Sequence, residues 1–317
     1  MHMFTKEDTD MGYIAGIGGA NVDIHGRSDS RFIMRDSNPG TLHTSLGGVC
    51  RNICENLALL GANVKLVTVL GDDANGRAIL HGCEQAGIDM KNACVLPGER
   101  SSSYVSIVDE TGDMLMAMSD MHIIKRMDER FVDDHAEVLS NADLVVCDGN
   151  LSARTMERLT EVCLSPLYLD PVSTAWAKEM APFVGSFDTI KPNRFELGAL
   201  SGKPVDTESE VIAACEVLLH KGVRRLFVSL GQKGMLYYGR EGRIRRVAKP
   251  YPDVVNATGA GDASMAGIVW ASRQGMTADE CVCIGMAAGM IAIASKDTIS
   301  REMTPENIQR MVEDYIV

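Results

Sequence analysis

Short continuous runs of apolar and β-branched residues recur along the chain and alternate with longer amphipathic stretches. A run that is apolar at every position is typical of a strand covered on both faces. The sequence predicts such strands at residues 13–17, 64–70, 144–147, 167–169, 189–190 and 226–230. Helices are predicted between them, at residues 49–60, 76–86, 153–162, 208–220 and 278–294. This alternation predicts an α/β fold with a doubly wound, mostly parallel sheet flanked by helices, whose ligands bind at the carboxyl ends of the strands.

Two stretches break this rhythm because their apolar and polar residues alternate. Residues 27–45 and 101–121 have the two-residue period of strands with one free face, around turn signals. We expect antiparallel hairpins that form a small β-sheet lid, while residues 12–26, 46–100 and 122–317 form the large α/β domain. The free face predicts that the lid covers an active site or pairs with a second subunit in a homodimer.

Composition limits the partners. The 317 residues include 31 Lys and Arg against 43 Asp and Glu, which gives a net charge of −12. This charge argues against a general binder of nucleic acid or of acidic membranes. The nine cysteines lack a paired framework, and no apolar run is long enough to span a bilayer. We therefore expect a cytoplasmic protein with reduced thiols.

Residues 259–262 carry the strongest chemical signal. Gly259 and Gly261 lack the Cβ atoms that would keep an anion away, and a small-residue helical run follows. The N–H groups of Gly259, Ala260 and Gly261 are expected to converge on an anion, with the helix dipole adding positive charge. A carboxylate repels such a ligand, so Asp262 is predicted to take a proton from an attacking hydroxyl. The alternative is a glycine-rich turn that caps a buried helix.

Two segments in the first third of the chain supply groups suited to a sugar. An amide and a carboxylate follow the first strand, where paired sugar hydroxyls would suit them. A diglycine precedes the first predicted helix, so the backbone can approach a ligand there and first-turn side chains can point polar groups at it. The alternative for the glycines after the first strand is a simple strand-to-turn transition. The candidate substrate-binding residues are Asn21, Asp23, Gly47, Gly48, Arg51 and Asn52.

Two further strand ends indicate a metal and a nucleotide. Asn193 and Glu196 have the spacing of a helix capping box, and they are also suited to hold Mg²⁺ through water against phosphates. Ser229, Gly231 and Gly234 follow another strand in a loop suited to a nucleotide phosphate. A hairpin turn is the alternative for this loop, because a further strand follows it.

These segments, in their order and spacing, resemble the ribokinase-like (PfkB) carbohydrate and nucleoside kinases. The resemblance implies an ATP- and Mg²⁺-dependent kinase with a ribokinase-like fold, in which Asp262 is the catalytic base. It further implies that the sugar is bound by Asn21, Asp23, Gly48 and Asn52. The metal contacts it implies are Asn193 and Glu196. The nucleotide contacts it implies are Ser229, Gly231, Gly234, Gly259 and Gly261.

One position departs from the family pattern. The family motif usually begins with an aspartate that is often linked to a monovalent cation site, and this chain has Asn256 there. An amide oxygen can still coordinate K⁺, although it lacks the attraction of a full charge. Asn256 is therefore a candidate ligand for a monovalent cation.

Within that family, residues 47–57, 119–121 and 170–173 are most similar to the kinases that act on pseudouridine. The similarity implies phosphorylation of the 5′-hydroxyl of this nucleoside, with Ser119 and Asp120 of the lid as candidate contacts to the base. Asn150, at another strand end, is a candidate sugar contact. A related kinase for ribose, another nucleoside or a keto-sugar acid is an alternative. A sugar-binding protein without turnover is a further one, although it would gain nothing from Asp262.

Overall fold

Fourteen β-strands and eleven α-helices form the part of the chain that the computed structural model describes, residues 12–251 and 254–317. The strands are β1 (Ile14–Ile17), β2 (Asn21–Ser28), β3 (Gly40–Gly47), β4 (Val64–Gly71), β5 (Ile88–Asp89), β6 (Ala93–Leu96), β7 (Ser102–Val108), β8 (Met114–Asp120), β9 (Leu144–Asp148), β10 (Leu167–Asp170), β11 (Thr189–Ile190), β12 (Arg225–Ser229), β13 (Met235–Gly239) and β14 (Gly242–Arg246). The helices are α1 (Val49–Leu59), α2 (Ala74–Gln85), α3 (Glu129–Asp134), α4 (Ala136–Ser140), α5 (Ala153–Val162), α6 (Thr174–Met180), α7 (Arg194–Ser201), α8 (Glu208–Lys221), α9 (Ala260–Arg273), α10 (Ala278–Ile293) and α11 (Pro305–Tyr315).

The larger sheet has ten strands in the order β14-β13-β12-β11-β10-β9-β1-β4-β5, and β6 also pairs with β4. Pairing is parallel from β12 to β5 and antiparallel for β13 and β14. The six runs predicted as strands all lie in the parallel part, so the predicted α/β fold with a mostly parallel sheet is confirmed.

Helices cover both faces of this sheet. Consecutive residues of β1 enter different cores, since Ile14 belongs to one buried apolar cluster and Ala15 to the other. A strand that feeds two cores is apolar at every position, which explains the continuous runs in the sequence. None of the helices in the described ranges combines the length and apolarity that crossing a bilayer requires.

The second sheet has the order β3-β2-β7-β8 and confirms the small β-sheet beside the main one. Strands β2 and β3 form one antiparallel hairpin, β7 and β8 form another, and β2 pairs with β7 in parallel. Its first strand begins at Asn21, six residues before the predicted start of the lid at residue 27. The chain passes from one sheet to the other within residues 18–20, at the two glycines for which the sequence offered a strand-to-turn transition as the alternative.

Candidate active site

The carboxyl ends of five parallel strands meet at one edge of the large sheet and carry its buried polar groups. Strand β9 ends at Asp148 and β10 at Asp170, while Lys191 follows β11 directly. All three side chains are buried. At the same edge, β1 leads into Gly18 and β12 ends at Ser229. Ligands of doubly wound folds bind at this edge, so the residues gathered here form the candidate site.

The N-terminus of α9 has free amide donors. Gly259 precedes the helix at φ 81°, and no side chain caps the helix. The N–H groups of Gly261 and Asp262 have no acceptor within the described residues, whereas Ala260 donates weakly to the Ala257 carbonyl at 3.4 Å. Gly261 is exposed. Uncapped donors at the positive end of a helix dipole bind an anion, so the predicted cradle fits a phosphate.

Asp262 lies in the first turn of α9, half-buried beside Asn52 of α1. The Asn52 amide nitrogen donates to the Asp262 carboxylate at 2.7 Å. Burial and the negative charge of Asp170 raise the pKa of Asp262 to about 7, against the lowering effects of Asn52 and Lys191. A carboxylate with this pKa is half protonated near neutral pH, which suits a group that must accept a proton.

Lys191 and Asp170 form a buried ion pair beside the cradle, with 3.1 Å between Nζ and Oδ2. Burial lowers the pKa of Lys191, but the carboxylates of Asp170, Glu196 and Asp262 raise it by more. The pKa is therefore above its ordinary value, and the ammonium stays charged. A Cβ on Gly261 would lie 3.7 Å from Lys191 Nζ. No role for this pair is predicted from the sequence. Its one signal is a lysine directly after the short buried strand β11, because a lysine is seldom fully buried unless it has a charged partner.

The sugar-binding candidates converge where β2, β3 and α1 begin or end. The Asn21 amide donates to Asp23 Oδ1 at 2.5 Å, and a Cβ on Gly47 would collide with the Asp23 carboxylate. Burial raises the pKa of Asp23 more than the Asn21 hydrogen bond lowers it. Gly48 has φ 101°, and a Cβ there would lie 2.5 Å from the Gly19 carbonyl oxygen. The glycines thus allow the chain to fold tightly around an amide and a carboxylate.

Asp148 explains part of this geometry. Its Oδ2 accepts the N–H groups of Gly19 and Cys50 at 3.2 and 2.9 Å, so Asp148 caps α1 from another strand. Its Oδ1 accepts the N–H of Asn150 at 3.0 Å. Asn150 is half-buried next to Gly19, and its contact with a sugar stays a prediction.

A cleft of about 830 Å³ opens between the lid, α1 and residues 296–301. Its lid wall carries polar side chains that the sequence analysis missed, His25, His43, Tyr104 and Ser106. His25 Nδ1 and Ser106 Oγ are 2.6 Å apart. Only the pairing register could reveal this wall, because residues opposite each other on neighbouring strands share a face.

The same register places the two lid residues singled out from sequence. Ser119 is opposite Tyr104 and therefore shares the face of the cleft wall. Asp120 is opposite Ser103, on the other face, and its Oδ1 lies 2.6 Å from Nδ1 of His122. The alternation of side chains along β8 thus turns Asp120 away, and the prediction that it contacts the base is corrected.

Arg51 is fully buried with 2% exposure, although it stood among the candidate substrate contacts. Its Nη1 donates to Glu55 at 2.5 Å, and its Nη2 donates to the Asn52 amide oxygen. Both Nη atoms of the guanidinium are thus occupied by protein groups, one of which is Asn52. Arg51 also lines the cleft, and its contact with a substrate stays a prediction.

Asn193 and Glu196 form the capping box of α7. The Asn193 side chain accepts the N–H of Glu196 at 2.9 Å, and Glu196 Oε2 accepts the N–H of Asn193 at 2.8 Å. This leaves Glu196 Oε1 without an assigned partner in the described residues. Ser229 lies against Asn193 in a parallel bridge, and a cleft of about 470 Å³ borders both together with Gly231. The structure therefore brings the predicted metal and nucleotide segments together.

The Ser229–Gly234 region forms the hairpin turn between β12 and β13, with Gly231 and Gly234 at positive φ. The turn and a phosphate-binding role are compatible, because residues of the turn line the cleft of about 470 Å³.

Asn256 Oδ1 accepts the N–H of Thr258 at 3.0 Å, and its Nδ2 lies 3.4 Å from the Lys296 carbonyl. No group of three or more His, Cys, Asp and Glu side chains in residues 12–251 and 254–317 is arranged to enclose a metal ion.

The anion cradle and the carboxylate beside it are suited to the transfer of a phosphoryl group to a hydroxyl. The chain belongs to the pfkB family of carbohydrate kinases, whose profile matches residues 11–305. The family thus fixes the class of reaction.

Individual relatives agree with this assignment. Pseudouridine kinase of Escherichia coli (strain K12) is 33% identical over 303 residues, which cover 95% of this chain and 97% of that protein. A carbohydrate kinase from Agrobacterium tumefaciens has a TM-score of 0.83 at 26% identity, covering 96% of this chain and 97% of that one. Ribokinase of Arabidopsis thaliana, solved with ribose and ATP, has a TM-score of 0.80 at 22% identity, covering 95% and 99%, and shares the fold.

Proposed function

We propose that this chain is an ATP-dependent kinase that phosphorylates the 5′-hydroxyl of pseudouridine. One observation carries the proposal: Asp262 stands at the free-amide N-terminus of α9 and accepts the Asn52 amide, while the chain neighbours Arg51, before Asn52, and Thr258, before α9, line the polar cleft. The base, the anion cradle and the substrate cleft are therefore contiguous. A sugar-binding protein without turnover has no use for a carboxylate beside an anion site.

The chain's groups fit each part of a phosphoryl transfer. Asp262 takes the proton of the 5′-hydroxyl as the bond from O5′ to the γ-phosphorus forms and the bond to the bridging oxygen of ADP breaks. The amides of Gly261 and Asp262 and the Lys191 ammonium are placed to stabilise negative charge on the transferring group. The lid excludes water, which would otherwise accept the phosphoryl group.

Two observations support a nucleoside as the acceptor. The cleft volume of about 830 Å³ exceeds what a ribosyl ring fills, and the lid wall offers His25, Tyr104 and Ser106 above it. The similarity to pseudouridine kinase supports the choice of base. Pseudouridine carries a donor at N1 where uridine has only C–H, so a polar wall can tell the two apart.

Kinetics with pseudouridine, uridine, ribose and a keto-sugar acid test the substrate. We expect kcat/KM to be highest for pseudouridine and about 10- to 100-fold lower for uridine, the effect of one buried polar group left unpaired. Each should be assayed with saturating ATP and Mg²⁺, and the product identified by mass. Equal or better use of uridine, ribose or a keto-sugar acid would contradict pseudouridine as substrate and leave the kinase assignment standing.

We propose that Asn193 and Glu196 also hold Mg²⁺ through water. The donor set fits, because Mg²⁺ keeps several waters and takes few carboxylates, and Glu196 Oε1 lies free of the capping box. When bound, the ion neutralises charge on the nucleotide phosphates.

Glu196→Gln separates the metal role from the capping role. A Gln oxygen can still accept the Asn193 N–H, so Tm should stay within a few degrees, while the Mg²⁺ concentration for half-maximal rate should rise about tenfold. Glu280→Gln, which alters the capping box of α10 outside the lining of both clefts, is the matched control. A lowered Tm with an unchanged Mg²⁺ requirement would favour a purely structural Glu196.

We further propose a homodimer formed through the lid. The lid face opposite the cleft exposes Leu42, Met116 and Met118, with Leu42 and Met118 each 75% exposed. Large apolar side chains on an open sheet are typical of a protein interface, and a second copy presents the same surface.

Sedimentation equilibrium tests the dimer. The wild-type chain should have twice the mass of Leu42→Glu/Met118→Glu, which should be monomeric with an unchanged Tm. Leu164→Glu, at an exposed apolar residue far from the lid, is the control that should stay dimeric. A monomeric wild type would contradict the proposal.

We place the enzyme in the cytoplasm, because all nine cysteines are free thiols, as a reducing compartment favours. Asn256 stays a candidate for K⁺. Its amide oxygen already accepts one N–H, from Thr258, so any coordination must use the remaining lone pair.

A further inference from the structure

A continuous chain of polar contacts runs from Asp262 into the body of α1 and back to the rim of the cleft. Asn52 donates to Asp262, Arg51 donates to Asn52 and to Glu55, and Glu55 accepts Arg301 at 3.4 Å. Of these groups, only Arg301 is freely exposed, at 74% of its side chain. Arg51, Asn52 and Glu55 are buried, so salt screens the contacts among them only weakly.

A buried arginine needs a structural reason, because removing a charge from water costs several kcal/mol unless partners replace the water. Arg51 has a carboxylate on one Nη and an amide oxygen on the other, while its Nε has no partner among the described residues. The guanidinium is therefore held by Glu55 and directed at a single further group. That group is the Asn52 amide.

The Asn52 amide lies between a positive group, the Arg51 guanidinium, and a negative group, the Asp262 carboxylate. Its oxygen faces the Arg51 guanidinium and its nitrogen faces the Asp262 carboxylate. A flipped amide would set oxygen against carboxylate and nitrogen against guanidinium, and both contacts would be repulsive. The orientation that donates to Asp262 is thus enforced from the Arg51 side.

We infer that Arg51 is a positioning residue that locks the Asn52 amide into the orientation in which it donates to Asp262. This inference rests on the proposed role of Asp262 as the base. Glu55 holds Arg51 in place and also pairs with Arg301, which links the segment around Arg301 to α1. The same segment packs against the start of α9, since a Cβ on Gly259 would lie 2.4 Å from the Thr298 carbonyl oxygen. The network thus joins the base to both sides of the cradle.

The pKa of Asp262 depends on whether the Asn52 amide is held in the donating orientation. The charged groups that face it are Asp170 and Asp148, which disfavour its ionised form, and Lys191, which favours it. The hydrogen bond from Asn52 also stabilises the ionised form and so lowers the pKa of Asp262. Loss of the lock removes this bond, so the pKa of Asp262 should rise while the other three groups stay unchanged.

The test replaces the ion pair as a unit, Arg51→Met with Glu55→Leu, so that no buried charge is left alone and the net charge is kept. We expect the pKa of Asp262, followed by carboxyl ¹³C NMR of aspartate-labelled protein, to rise by about one unit. The Asp262→Asn spectrum assigns the signal. The same replacement in an Asn52→Ala background should give no further shift, because the positioned amide is already absent.

Turnover supplies a second readout. The acid limb of kcat/KM should move to higher pH by the same amount, while KM for ATP stays unchanged. An Asp262 pKa that equals the wild-type value, or an equal additional shift in the Asn52→Ala background, would overturn the inference. The NMR titration needs no substrate, so a chain that phosphorylates no nucleoside would refute the proposed function without touching this result.

Discussion

Asp262→Asn is expected to lower kcat by about two to four orders of magnitude while substrate KM changes little, the usual loss for a missing general base. The amide keeps the size of the carboxylate and can stay beside Asn52, so the fold and the cradle remain. Asp314→Asn, the same change at an exposed position of α11, is the control. Near-normal turnover of Asp262→Asn would remove this carboxylate from the mechanism.

The pH profile gives an independent check on the same residue. Because burial and Asp170 raise the pKa of Asp262 to about 7, the fraction of ionised base increases as pH rises through 7. The wild-type kcat/KM should therefore be half-maximal near pH 7 and level off about one pH unit above it. This limb should be absent from the residual activity of Asp262→Asn.

Gly259→Ala is expected to lower turnover by about 10²–10³-fold, the effect of misplacing donors that stabilise a developing negative charge. Gly259 has φ 81°, which costs a residue with a Cβ roughly 1–2 kcal/mol, and the Cβ would lie 2.4 Å from the Thr298 carbonyl oxygen. Tm should therefore fall as well.

Gly261→Ala is the matched comparison. Its Cβ would meet only Lys191 Nζ, at 3.7 Å, within the described surroundings, and α9 tolerates alanine. We expect an unchanged Tm and a loss of turnover, because the methyl group projects into the cradle. Kinetics and thermal unfolding of both variants check this pattern. Wild-type turnover in both would contradict a phosphate site at the start of α9.

Local signals account for the parts of the molecule that sequence could predict. Helix α5 matches its prediction at both ends, because Ser152 caps it and an apolar face follows. The glycine cradle and the Asn193–Glu196 box were readable because each lies within one short segment. The parallel strands were readable because each is a short run made mostly of apolar and β-branched residues.

Long-range pairing accounts for what sequence could not predict. Lys191 and Asp170 meet only because β10 and β11 are neighbours in the sheet. The polar wall of His25, Tyr104 and Ser106 depends on the register of β2 with β7, and Asp120 faces the other way for the same reason. A one-residue change in register would reverse each of these faces, and no local pattern fixes it.

The most direct test of the central claim uses ATP labelled with ¹⁸O on its γ-phosphoryl group, together with Mg²⁺ and pseudouridine. The account predicts a nucleoside monophosphate that carries the labelled phosphoryl group, with the phosphorus coupled to the 5′ protons in NMR, and it predicts that Asp262→Asn forms this product far more slowly. Label that appears only in inorganic phosphate, or a wild-type protein that forms no phosphorylated product from any nucleoside or sugar offered, would contradict it.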